Sequence, residues 1–236
     1  MTCRQVVLAL SSLIAGAAWA QGTLRSPTDS EAKVLARYTK TLETVLDQFR
    51  SDDWDESIDY ALDGASVNAD ADVPLDVDAL LERHYDVRQG SARWNAKLAP
   101  LIAQMQSKTT PEAMATVGQQ MKRLQHVHVS VHFNVHNADV SPPPPGNGPL
   151  KIAGPALAYK VSNERFEDGT AYVLMFGRWQ TAQWSADDGS YRFAFAHPKV
   201  TPFIENIEIR IYGAEDRLTE LLRGIDWNKV NEALTP

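Results

Sequence analysis

The chain has 236 residues, 30 of them acidic and 23 basic, for a net charge of −7 at pH 7. That balance argues against nucleic acid or an anionic lipid surface as a general partner, because both would be repelled. The single cysteine, Cys3, precedes the predicted globular part, so thiol catalysis and disulfide stapling are excluded there and an ordinary apolar core must hold the fold.

Residues 1–20 read as a secretory signal. Arg4 supplies a positive start, Val6 to Ala18 is uncharged, and Ala18-Trp19-Ala20 places small residues where a signal peptidase cuts. Cleavage after Ala20 and a periplasmic location are the expectation. No later segment is apolar enough to span a membrane.

Thr28-Asp29-Ser30-Glu31 has capping-box spacing. Val34, Leu35, Tyr38, Leu42, Val45, Leu46 and Phe49 then form one stripe of an amphipathic helix to about Arg50. Residues 51–78 are acid-rich and interrupted by Gly64 and Pro74, which predicts a solvated loop. A calcium loop is excluded, since its glycine and terminal glutamate are missing. A second helix is predicted from Asp76 through Leu80, Leu81 and His84 to Gln89, stopped by Gly90; His84 reads as a core-edge residue. A third begins near Ser91 with Pro100 kinking or splitting it. A fourth starts at Thr110-Pro111, with Thr109 and Glu112 at capping-box spacing.

At residue 124 the apolar period changes from 3.6 to 2. Val127, Val129, Val131, Phe133 and Val135 alternate with His126, His128, Ser130, His132, Asn134 and His136, which predicts a half-buried strand over 124–136. Residues 137–149, with four consecutive prolines after Ser141, read as a loop that is partly polyproline II. Strands are predicted at 156–161, at 171–179 with an extension towards 184, at 191–195, and at 203–212. Helices follow at 214–223 and after Asp226. The sum is an α+β protein: N-terminal helices, an antiparallel β-meander sheet, then C-terminal helices. The expected organisation is a helical region 21–123 and a sheet-bearing region 124–236 forming one unit.

Two functional readings follow. One is an exported, non-enzymatic binding protein, such as an inhibitor or immunity protein that neutralises a toxic envelope-acting effector. Its partner would be a basic protein such as a toxin, met by Asp52, Asp53, Asp55, Asp70 and Asp72 of the acidic segment and by Pro143 and Pro144 of the proline loop. The other is a metal-binding protein or metallohydrolase. Histidines two apart on a strand point the same way, roughly 6–7 Å apart, so His126 and His128 can converge on zinc or another transition metal. His132 is a further candidate, and a third ligand has to come from a neighbouring strand, with His197, Glu205 and Glu208 of suitable chemistry. His128-Val129-Ser130 also matches the histidine-x-hydroxyl element of the two-histidine phosphoesterases. The second element such enzymes need is missing, because the other histidines read His132-Phe133-Asn134 and His197-Pro198-Lys199.

Overall fold

In a computed structural model the chain is described over residues 23–60, 65–78, 81–108, 110–140, 149–163, 169–187 and 189–236. The signal segment, Thr109, Pro143 and Pro144 lie outside these residues.

The elements run β1 (Leu24–Arg25), α1 (Asp29–Leu46), β2 (Trp54–Tyr60), β3 (Ser66–Asn68), β4 (Val77–Asp78), β5 (Leu81–Val87), α2 (Ala99–Gln106) and α3 (Pro111–Gln125) in the first half. They continue as β6 (His126–Phe133), β7 (Asn137–Asp139), β8 (Leu157–Asn163), β9 (Gly169–Gly177), β10 (Trp184–Ser185), β11 (Ser190–Arg192), β12 (Asn206–Gly213) and α4 (Glu215–Gly224). A 3₁₀ helix, Trp227–Ala233, closes the chain, with Asp226 as its cap. The architecture is α+β, and no described helix is long and apolar enough to cross a membrane.

Six strands form the main sheet in the order β2-β5-β6-β12-β9-β8, with every neighbour antiparallel. One face carries Leu81, Tyr85, Val127, Val129, Val131, Ile207, Ile209, Ile211, Leu174 and Phe176 into a core closed by α1, α4 and Trp227. α1 starts where the sequence places it. The Thr28 hydroxyl accepts from the Glu31 amide, and the Glu31 carboxylate accepts from the Thr28 amide and from Arg25. The opposite face is divided. Its β12-β9-β8 half packs Leu157, Tyr159, Val161, Val173 and Met175 against Ala138, Val140, Tyr191 and Phe193, which belong to or flank a small sheet of order β10-β11-β7. Its β5-β6 half carries the polar residues described below.

Several local expectations are corrected. The predicted loop 51–78 contains β2, β3 and β4. Trp54 is buried, and the acids beside it are held by cations: Asp55 by Arg88 at 2.7 Å and Glu56 by Arg50 at 2.6 Å. Charge therefore hid a strand whose carboxylates are neutralised across the fold. The predicted helix 76–89 is the strand β5. Leu81, Arg83, Tyr85 and Val87 are buried at period two, and the segment gains ladders to β2 and β6 that a lone helix lacks. The region 21–123 accordingly supplies two strands to the main sheet. β6 stops at Phe133 rather than at 136, because Asn134 turns the chain with φ of 51°. Its side-chain amide donates to the Leu75 and Phe203 carbonyls and accepts from the Glu205 amide. β9 stops at Gly177, only Tyr191 and Arg192 of the predicted 191–195 strand lie in a strand, β11, and the predicted loop 137–149 opens with the strand β7, which pairs with β11. Pro100 splits its helix as expected: a π turn, Trp94–Leu98, precedes α2, and the proline sits in the first turn of α2. Thr110 caps α3, accepting from the Ala113 amide.

At the end of β12, Gly213 has φ of 132°, and a Cβ there would collide with the His126 carbonyl oxygen. That carbonyl accepts from the Ala214 amide at 2.9 Å. Gly213→Ala is expected to lower stability by about 2–3 kcal/mol, read as a shifted midpoint in urea with an unchanged slope. A variant as stable as the parent would show that β6 and β12 do not approach this closely.

Candidate metal centre

Strand β5 presents Glu82, His84 and Asp86 on the half-face left uncovered by the second apolar cluster, because these alternate with its buried residues. Strand β6 presents His126, His128, Ser130 and His132, and β12 presents Glu208, Arg210 and Tyr212. The register ties them into rows. His84 lies opposite His128, and His128 lies opposite Tyr212. In the next row Glu82 faces Ser130 and Ser130 faces Arg210; Asp86 faces His126, and His132 faces Glu208. Directly opposed residues hold their Cβ atoms about 4.5–5.5 Å apart, so each row is a set of touching side chains.

The His84 and His128 rings stack with centroids 3.9 Å apart and planes 14° from parallel. Tyr212 meets His128 edge-on, at 4.3 Å and 81°. His128 Nε2 lies 3.5 Å from Glu82 Oε1 and 3.5 Å from Tyr212 Oη. Glu82, His84 and His128 each offer a ligand atom within 4.8 Å of the other two. All three are half-buried, with 17% of the Glu82 side chain and 12% of the His128 side chain exposed. Two imidazoles and one carboxylate with room for further ligands is the donor set of open zinc and non-haem iron centres.

Of the histidines picked out from the sequence, the structure brings only His128 into this cluster. His126 is exposed and bonded to Asp86. His132 sits opposite Glu208, beside Arg210. The other two groups of the cluster, Glu82 and His84, stand on the neighbouring strand β5, and none of His197, Glu205 and Glu208 is among them. His197 and Glu205 bind one another instead: the Glu205 carboxylate accepts from the His197 ring at 2.9 Å, from the Ala196 and His197 amides, and from Arg178. Glu82 and His84 were hidden because 76–89 read as a helix. The signal that would have found them is Glu-x-His at strand spacing, followed by tyrosine and valine.

Asp53, Asp55, Asp70 and Asp72 are tied to their own chain. Asp53 accepts from the Arg93 amide, Asp55 pairs with Arg88, Asp70 accepts from the Thr23 amide, and Asp72 contacts His136 at 2.9 Å. Asp52 lines an open cleft with Arg50, Ser51, Trp54, Glu56 and Arg88.

Burial also sets protonation on this half-face. Burial, and secondarily the Arg210 guanidinium, lowers the His132 imidazole to about 4. Burial raises the Glu208 carboxyl, against the pull of Arg210. No family model matches the chain, and neither the curated proteins nor the solved structures include a significant match.

His132 gives a signed pH dependence. Its folded value lies below the ordinary value of 6.5, so the unfolded chain binds a proton that the folded chain refuses. The stability associated with this group is fully present above about pH 6.5 and is lost as pH falls towards 4. In His132→Gln, the stability difference between pH 7 and pH 4.5, measured by urea unfolding, should shrink relative to the parent. An identical acid limb in both proteins would refute a neutral, half-buried His132.

Proposed function

We propose that this protein binds a first-row transition-metal ion through Glu82, His84 and His128. One observation carries the reading: three half-buried side chains of metal-ligating chemistry, from two adjacent strands, place their donor atoms within 4.8 Å of one another. With the export signal predicted for residues 1–20, the proposal is a periplasmic metal-binding protein.

The chemistry fits in three respects. Neutral imidazole and carboxylate are ordinary donors to zinc, iron, nickel and copper. Glu82 and Asp86 supply negative charge, and Arg210 is held away by Glu208 and by the Asp139 carbonyl. The donors stand on strands whose ladders fix their Cα positions, so only side-chain torsions have to adjust. Those torsions do have to change. Parallel stacked rings direct their lone pairs side by side, and nitrogens at about 2.0–2.1 Å from one ion must converge. Capture of the ion therefore turns His84 and His128 out of their stack.

The test is isothermal titration of the full chain, purified without a metal column and treated with chelator, using zinc as the probe. One ion per chain is expected, with a raised melting temperature in the presence of zinc. His84→Ala and His128→Ala should each weaken binding by about 100-fold or more, beyond the 10–100-fold typical of groups that only support ligands. His126→Ala should leave it nearly unchanged. Zinc binding that survives both the His84 and His128 substitutions, or a parent that binds neither zinc nor ferric iron, would sink the reading.

A further inference from the structure

The cluster has a neighbour whose chemistry discriminates between metals. Tyr212 stands on β12, directly opposite His128, so His128 is flanked by β5 donors on one side and by a phenol on the other. The phenol oxygen is as close to His128 Nε2 as the Glu82 carboxylate is, at 3.5 Å in each case. Donors bound to one ion at about 2.0–2.1 Å lie about 3.3 Å apart at a tetrahedral angle. Each oxygen thus stands near that separation from Nε2, within reach of an ion that His128 would bind.

Resting on the metal-binding reading above, we propose that Tyr212 Oη is the fourth protein donor of this site, and that the resulting Glu82, His84, His128 and Tyr212 set holds ferric iron. Zinc sites are built from cysteine, histidine and carboxylate, and phenolate is not among their usual donors. A phenolate and a carboxylate are hard, anionic oxygens, which favour a small trivalent ion, and imidazole is an accepted iron ligand. The charge also fits, since two anionic donors neutralise most of a 3+ ion and the nearby Asp86 contributes to the field. Binding is a ligand exchange without electron transfer. The phenolic O–H bond breaks, its proton leaves to solvent, and an oxygen–iron bond forms, as coordination to a strong local cation promotes.

The experiment uses the full chain with ferric nitrilotriacetate as the iron source and zinc as the control ion, for the parent and for Tyr212→Phe. Phenylalanine keeps the ring against His128 and removes only the oxygen; a thermal melt confirms that the variant is folded. The parent should develop a visible phenolate-to-iron charge-transfer band saturating at one ion per chain. Tyr212→Phe should lose that band and bind ferric iron about tenfold or more weakly, with zinc affinity within about threefold of the parent. A band that persists in Tyr212→Phe, or ferric binding in the parent with no band, overturns the assignment of Tyr212. Zinc binding without ferric binding overturns this inference and leaves the metal-binding reading standing. Binding of neither ion overturns both.

Discussion

The register of β6 is the constraint on which the rest depends. The strand lies between β5 and β12, and its valines, Val127, Val129 and Val131, are almost completely buried in the main core. Side chains alternate with a period of two, so a slip of one residue on either side would expose those valines and drive imidazoles into hydrocarbon. Both ends resist such a slip. α3 runs directly into His126. At the far end Asn134 is fixed by three side-chain hydrogen bonds to segments remote in sequence. The row His84–His128–Tyr212 follows from this: hydrophobic burial on one face sets which polar groups meet on the other.

The same sheet explains how so acidic a chain packs. Many of its carboxylates are structural partners. Glu31 closes the cap of α1 and binds Arg25, which holds its carboxyl down at about 2. Arg83, buried on the core face, lies near Glu56 at 3.5 Å and Glu43 at 3.8 Å. Asp216 at the start of α4 is bidentate to Arg93, which in turn lies over the Trp54 ring. Glu205 gathers two backbone amides and a histidine ring, tying 194–197 to the start of β12. A buried carboxylate is tolerated only when it is paired in this way, and the negative composition is largely spent on internal order.

The legible part of the sequence was the part where one pattern dominated. The α1 stripe, with its capping box, and the alternation over 124–136 each satisfy a single period, and both elements stand in the structure, the strand shortened to 126–133 by the helix before it and the turn at Asn134. The acidic first half was less legible. In Trp54-Asp55-Glu56-Ser57 the inward positions are an aromatic and a glutamate, so alternation by hydropathy fails although alternation in space holds. β5 was lost for the same reason: its inward Arg83 breaks the apolar series and is acceptable only because Glu56 and Glu43 are brought to it by folding. Long-range ion pairs are not visible to a local reading. Glu82 and His84 of the candidate site went with that strand, and Tyr212 carried no signal of its own, since its meaning depends on standing opposite His128.

A site assembled this way is bound to the fold. Glu82 and His84, His128, and Tyr212 come from three strands separated by long stretches of chain, and they meet only when β5, β6 and β12 are paired. The unfolded chain therefore has no equivalent site, and an ion held by these groups cross-links the centre of the sheet, adding its binding free energy to folding. Strands so deep in a ladder cannot open and close around a ligand as a loop does. Exchange of an ion there would proceed by rotation of side chains, since Glu82 and His128 are only partly exposed. On the proposed reading, such a centre would retain its ion, with geometry set by the backbone and adjusted only by the torsions of its donors.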